Sequence, residues 1–305
     1  MLLIEKIYEI KKKIFAWPKK YLTVNGLYTC ILPDKMYVKK MYKLKLGKKI
    51  NLKKPQGFNE KLCWLKLYDH KSIYTVMADK YKARNYISEK IGDEHLVPLL
   101  GVWDSPDEID FDSLPNEFVL KCNHDNGVII CSDKNKLDIE IVKADLFCHL
   151  NRDYYKKHRE WPYKNIPRKI ICEKLLKNSD GSQLLEYNVF CFNGVPMFFK
   201  VGSVLLDGTH AKDFYDIEWN HLELKTGASA GDIFSKPIHY DKLIDYAKKL
   251  SNNATHLRVD FYVCDGKLYN GELTFFSNGG HMNFTPNEWD TIWGSYLTLP
   301  PKHRR

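Results

Sequence analysis

The stretch Leu257-Arg258-Val259-Asp260-Phe261-Tyr262-Val263-Cys264-Asp265-Gly266-Lys267-Leu268-Tyr269-Asn270-Gly271-Glu272-Leu273-Thr274-Phe275 reads as a β-hairpin, and the length of its turn decides which side chains meet. A two-residue Asp265-Gly266 turn sets Val259 against Glu272 and Phe261 against Asn270, apolar against polar. A three-residue turn, Cys264-Asp265-Gly266 with Gly266 left-handed, sets Val259 against Gly271, Phe261 against Tyr269 and Leu257 against Leu273. Both faces are then consistent, and this second register is the one expected. It gathers Arg258, Asp260, Glu272 and Thr274 on the other face, with Arg258 opposite Glu272 and Asp260 diagonal to it. Two carboxylates so close repel unless a divalent cation or Arg258 lies between them. The hairpin is therefore a candidate metal site, or else a solvated face with an Arg–Glu ion pair of small energetic worth.

Outward from the hairpin the pattern is mixed. Upstream, Lys169 to Leu176, Leu185 to Phe192 and Val195 to Val204 read as strands, the last two about the turn Asn193-Gly194, and Tyr240 to Leu250 as a helix. Further back, Phe118 to Cys122 and Val128 to Cys131 are strands around Asn123-His124-Asp125-Asn126-Gly127, followed by helical spacing from Lys136 to Leu150. Up to about residue 95 the chain reads mostly helical. Asn59 caps Glu60 to Tyr68 with Leu62, Leu65 and Leu67 inward, and Asp79 to Ile91 ends at Gly92. Within residues 1–17, Leu3, Ile7, Ile10, Ile14 and Trp17 line one side of an amphipathic helix whose other side carries Lys11, Lys12 and Lys13. Such a helix docks on its own domain or lies on a membrane surface. No repeat or low-complexity linker divides the chain, and one α+β unit is expected.

The 305 residues carry 47 Lys+Arg against 38 Asp+Glu and are 44% hydrophobic, which excludes a disordered or collagen-like chain. No run approaches the ~18 apolar residues of a transmembrane helix. The N-terminus has neither a long apolar core nor a small-residue cleavage site, so a cytoplasmic location is expected. The eight cysteines form no C-x-x-C pair and sit mostly in apolar runs, as buried reduced thiols do. The net charge of +9 is concentrated between Val38 and Pro55, in Lys39, Lys40, Lys43, Lys45, Lys48, Lys49, Lys53 and Lys54. Such a patch is a solvated face or attracts an acidic polymer or anionic lipid. Nucleic acid is not an expected partner, because no recognition module accompanies the charge.

Several separated motifs in this order resemble the TupA-like branch of the ATP-grasp ligases, associated with teichuronopeptide and other bacterial surface-polysaccharide synthesis. The resemblance runs from about Lys48 to Asp290. Its opening signature is Pro55 followed by Phe58-Asn59-Glu60-Lys61-Leu62 and Trp64-Leu65-Lys66-Leu67-Tyr68-Asp69. Asp79-Lys80-Tyr81-Lys82-Ala83-Arg84 is similar to the family's Asp-Lys pair, which implies that Lys80 reaches the nucleotide phosphates. Lys121 matches the lysine beside a mobile Gly-rich phosphate loop, implying phosphate contacts for Lys121, Asn126 and Gly127. Glu173-Lys174-Leu175-Leu176 resembles the hinge on which adenine lies, giving Glu173, Lys174 and Leu176 to the nucleotide. Asp180, seven residues after Glu173, stands where relatives place a ribose acceptor. Asp260 and Glu272 match the magnesium-binding carboxylates, and Arg258 the arginine that faces substrate or phosphate.

The resemblance implies an ATP-grasp fold, two α+β lobes with antiparallel sheets enclosing ATP after a helical N-terminal segment. The corresponding divisions are 1–75 for the basic helical segment, 76–172 for the first lobe and 173–300 for the second. It also implies an ATP- and Mg²⁺-dependent ligase that activates a carboxylate as an acyl phosphate, with Lys121 and Arg258 in catalytic roles. The substrates so implied are a uronic-acid glycan or sugar nucleotide and a small amine or amino acid, met in the cytoplasm or peripherally at an anionic membrane face. The chain departs from the family pattern in four places. The phosphate loop has one glycine, Thr274 stands where many relatives carry a metal-binding Asn, Asn188 replaces a lysine, and Ser277-Asn278-Gly279-Gly280-His281 replaces a Pro-Gly-Ser-Gly-like turn. Two alternatives from other classes stay open: a glycosyltransferase, for which no Asp-x-Asp triplet is present, and a non-catalytic glycan- or membrane-binding protein.

Overall fold

A computed structural model describes residues 32–204, 210–227 and 234–302. The expected amphipathic helix of residues 1–17 lies outside the described residues. Two antiparallel sheets carry the fold. The first has the order β1 (Leu99–Trp103), β4 (Ile170–Lys174), β2 (Phe118–Cys122), β3 (Val128–Cys131). The second runs β10 (Lys267–Thr274), β9 (His256–Cys264), β5 (Leu185–Phe192), β6 (Val195–Val204), β7 (His210–Asp216), and a short pair joins β11 (Phe284–Thr285) to β8 (Lys225–Thr226).

The hairpin β9–β10 corrects the expected register. Asp265 and Gly266 alone make the turn, both left-handed at φ 48° and 70°, the conformation that matches strand twist in a two-residue connection. Phe261 therefore does face Asn270. The register then slips by one residue between Asn270 and Glu272, and beyond Gly271 the partners are Glu272 with Asp260, Leu273 with Val259 and Thr274 with Arg258. This bulge restores the two-faced pattern that a longer turn was invoked to supply. Gly271 is needed there because a Cβ would lie 2.5 Å from the Tyr262 ring. Consequently Asp260 is directly opposite Glu272 rather than diagonal to it, and Arg258 is opposite Thr274, not Glu272.

Alternation then sorts the sheets. In β2, Phe118, Leu120 and Cys122 pack on Val142 and Leu146 of α5 (Ile139–Leu150), leaving Lys121 to the opposite face. In the second sheet Val189, Val201, Val259 and Phe261 bury themselves in one core with Leu243, Ala247 and Leu250, one stripe of α7 (Tyr240–Ser251). The polar face of that sheet carries Asn188, Lys200, Asp260 and Glu272 in cross-strand pairs. One end of this face is closed by Phe198 stacked at 4.8 Å on Trp293 of α8 (Glu288–Tyr296).

The N-terminal helices differ from expectation at their ends. α2 spans Phe58–Tyr68 with Gly57 at its N-cap, because Asn59 is spent elsewhere: its amide donates to Met282 O at 2.9 Å and to Asp290 Oδ1 at 3.0 Å. The helix expected from Asp79 to Ile91 begins only at Ala83, as α4 (Ala83–Ile91), and an unexpected short helix, α3 (Ser72–Ala78), precedes it, with the turn between them at Asp79. Asp79 Oδ1 accepts from the amides of Tyr81 and Lys82, so its side chain bonds the backbone locally instead of continuing a helix. In α1 (Asp34–Leu46), Tyr37, Val38 and Tyr42 pack on Cys63 while Lys39, Lys43 and Lys45 face solvent. Lys136 to Leu150 begins as a helix only at Ile139, where Asp138 caps it. α6 (Tyr154–His158) follows. Of the described cysteines all but Cys148 are buried, as their apolar runs suggest. No helix among the described residues is long and apolar enough to cross a membrane.

Candidate active site

The break at Asp79 positions Lys80. Asn123, at the end of β2, donates to Asp79 Oδ1 at 2.8 Å, and the Lys80 amide donates to Asn123 O at 3.0 Å, locking the α3–α4 turn onto the loop after β2. The Lys80 ammonium then reaches Asp125 O at 2.6 Å on one side and Glu272 Oε1 at 3.3 Å on the other. One lysine thus spans from the loop of the first sheet to the hairpin of the second. Lys121 pairs with Glu173 of β4 at 2.6 Å, and Arg84 reaches the other oxygen of Glu173 at 3.4 Å. Glu173 is buried, and both of its carboxylate oxygens are paired with cations there. Its neighbour Lys174 is exposed, with its amide donating to Pro98 O at 2.9 Å, and Leu176 lies half-buried just beyond the strand.

The loop 123–127 is anchored at several points. The Asp125 carboxylate, which is buried, pairs with His149 at 2.5 Å and Arg152 at 3.2 Å, and accepts from the Gly127 amide at 2.9 Å. Burial pushes its carboxyl up, but these partners together hold it below the ordinary value. Only Asn126 of the loop is exposed. Gly127 is obligatory, since a Cβ would meet the His149 ring at 2.0 Å. Asp180 stands apart from this cluster, exposed, with its carboxylate accepting from the Ser182 amide at 2.8 Å.

On the hairpin, Arg258 grips Asp260 with two bonds, Nε to Oδ1 at 2.7 Å and Nη2 to Oδ2 at 2.6 Å, and also reaches Thr274 Oγ1 at 3.1 Å. Burial raises the Asp260 carboxyl to about 6; Arg258 opposes that and the nearby Glu186 and Glu272 add to it. Glu272 is raised by burial, yet Lys80, Arg258 and Lys121 together bring it below its ordinary value. The expected Arg–Glu ion pair is thus an Arg–Asp pair within one strand, which leaves Glu272 to the lysines. Sequence reasoning missed Lys200, whose signal was a lone lysine inside the apolar run Phe198-Phe199-Lys200-Val201. It shares the face of Asp260, and burial pulls its ammonium down to about 8.

The profile of one family, TupA-like ATPgrasp, matches residues 60–298. The chain belongs to the TupA-like ATP-grasp family. As an ATP-grasp protein it is similar to several solved structures. The D-alanine–D-alanine ligase of Bacillus anthracis is 15% identical over 72% of this chain and 60% of that one, TM-score 0.39. The corresponding ligase of Helicobacter pylori is 14% identical over 80% and 69%, TM-score 0.39. The biotin carboxylase domain of Hydrogenobacter thermophilus 2-oxoglutarate carboxylase is 14% identical over 80% and 52%, TM-score 0.40. The chain therefore spans 60% of the length of the first of these. No protein of curated function matches the sequence.

Among the described residues no three His, Cys, Asp or Glu side chains gather as a metal cage. The donor set of Asp260 and Glu272, two hard oxygen ligands paired across the hairpin, fits a magnesium ion.

Proposed function

We propose that this ATP-grasp protein is a carboxylate–amine ligase that holds MgATP between its two sheets. The observation that carries this is the Lys80 ammonium, bonded to Asp125 O of the first sheet's loop and to Glu272 of the second sheet's hairpin. A polyphosphate laid between the sheets meets that cation, with Lys121 and Arg258 flanking it and the amides of Asn126 and Gly127 available as donors. Glu173, Lys174 and Leu176, where β4 ends, form the hinge for adenine. Asp180, exposed and accepting from the Ser182 amide, is the acceptor proposed for a ribose hydroxyl.

In the chemistry proposed, a carboxylate oxygen of the substrate attacks the γ-phosphorus and ADP leaves. The amine nitrogen then attacks the acyl carbon, inorganic phosphate departs, and the nitrogen loses a proton to give the amide. Asp260 and Glu272 would hold the magnesium ion, which would supply charge neutralisation for the phosphates. Lys80 and Lys121 orient the phosphate chain. Arg258 offsets charge that builds on the transferring group, and its grip on Asp260 keeps the guanidinium from rotating away.

The carboxylate is assigned to a uronic acid of an acidic bacterial surface polysaccharide or its sugar nucleotide, and the amine to an amino acid or amino alcohol. The family's association and the exposed lysines of α1 and the following segment support this. That face also suits an anionic membrane surface. Hydroxylamine trapping tests the reaction: with MgATP and a panel of uronic acids, an active pair gives an acyl hydroxamate and stoichiometric ADP. ADP release without hydroxamate for any carboxylate contradicts the acyl-phosphate route.

A further inference from the structure

Lys200 has no task in the site as described so far. It lies on β6 opposite Asn188 of β5, and Asn188 is in turn opposite Asp260 of β9. Directly paired residues of antiparallel strands project to the same face, so Asp260, Asn188 and Lys200 form a row across the sheet. Arg258, Glu186, Asp260 and Lys212 all act electrostatically on the Lys200 ammonium, which places it in the space of the Arg258–Asp260 pair.

Two members of this row are left incomplete. Asn188 is fully buried, and among the described residues neither its Nδ2 nor its Oδ1 has a hydrogen-bond partner. Lys200 makes no ion pair or hydrogen bond among the described residues. The acids nearby are engaged elsewhere: Asp260 by Arg258, Glu272 by Lys80, and Glu186 by the Tyr262 hydroxyl at 3.4 Å. A buried amide with no partner and a mostly buried ammonium with no counter-ion both weaken the folded state, and chains keep such groups where a ligand completes them. A lysine offers three donors and the asparagine NH2 two more, so a ligand that brings negatively charged acceptor oxygens meets most of what the row leaves open. Beside the candidate magnesium carboxylates and Arg258, the oxygens that arrive are those of the nucleotide's last phosphate.

We propose that Lys200, assisted by the Asn188 amide, binds the terminal phosphoryl group of the nucleotide. This rests on the ligase reading above. It makes the second sheet a donor of charge to the transferring group in its own right, alongside Lys80 and Lys121.

Calorimetric titration of the full chain with Mg·ADP and with Mg·AMPPNP, a non-transferable analogue that retains the third phosphate, tests it. Lys200→Met should weaken Mg·AMPPNP at least tenfold and leave Mg·ADP within about twofold, while Lys200→Arg recovers most of the loss. The unliganded melting temperature of Lys200→Met should be no lower than that of the wild type, since methionine fills similar volume without a charge; a purely structural lysine would show the reverse. Should Lys200→Met fail to fold, Lys200→Gln carries the same comparison. Equal weakening of both nucleotides, or none, overturns the assignment while leaving the ligase reading intact. A wild-type chain that binds neither nucleotide overturns both.

Discussion

Arg258 holds both carboxylate oxygens of Asp260, at 2.7 and 2.6 Å, from a position two residues earlier on the same strand. A bidentate pair at i and i+2 forms because both residues face one side of β9, and the Gly271 bulge brings Glu272 directly opposite Asp260.

Stripping the guanidinium leaves Asp260 buried and unpaired. Arg258→Met should destabilise the fold by about 3–5 kcal/mol at pH 7.5, measured by urea unfolding. With the Asp260 carboxyl already raised to about 6 by burial, protonation at pH 5 neutralises it and shrinks that loss. Asp260→Asn added to Arg258→Met should recover part of the stability at pH 7.5.

Gly127→Ala puts a Cβ against the His149 ring and breaks the His149–Asp125 pair. A loss of about 1–3 kcal/mol in stability is expected from the overpacking. Nucleotide affinity should fall severalfold, because the loop that carries the Asn126 and Gly127 amides shifts. His149→Ala breaks the same pair, so the double variant should lose little more than either single one, and full additivity in a double-mutant cycle contradicts this coupling.

His256 sits in an aromatic cluster with Phe58 and Phe192, its Nδ1 on Phe275 O at 2.9 Å and its Nε2 without a partner among the described residues. Burial pulls its imidazole down to about 4, so it stays neutral in the fold where the unfolded chain, with a pKa near 6.5, takes up a proton. The stability it contributes is complete above about pH 6.5 and is lost as pH falls toward 4, roughly 2 kcal/mol of it by pH 5. Unfolding at pH 7 and pH 5 should show a smaller difference for His256→Phe than for the wild type.

Gly294, inside α8, is the closest approach of that helix to the backbone before α2: a Cβ there would lie 2.1 Å from Gln56 O. Backbone cannot yield as a side-chain tip can. Gly294→Ala should cost on the order of 3 kcal/mol or more despite its gain in helix propensity, read as a lower melting temperature.

Strands with a clean alternation were legible in the sequence, and β2, β3, β5 and β6 begin and end as the pattern predicts. The separate helix α3 and the start of α4 at Ala83 rather than Asp79 were not, because the turn between them depends on Asn123, a residue 44 positions from Asp79, to hold it. The hairpin shows the same limit at closer range. Turn type does not by itself set the register, because the bulge at Gly271 lets a two-residue turn coexist with the two-faced pattern. The shared face of Arg258, Asp260, Glu272 and Thr274 was therefore legible, while their pairings were not. Lys200 escaped notice because β6 is only one strand's pattern, and its proximity to Asp260 arises from strand order across β9, β5 and β6.

The most direct test of the account is calorimetric titration of the wild-type chain with Mg·AMPPNP and with UDP-glucuronic acid, each with and without Mg²⁺, repeated for Glu272→Gln. The ligase account predicts magnesium-dependent binding of the ATP analogue that falls at least tenfold in Glu272→Gln. Binding of the sugar nucleotide with no adenine nucleotide bound under any condition would contradict it, and would move the protein to the glycosyltransferase alternative.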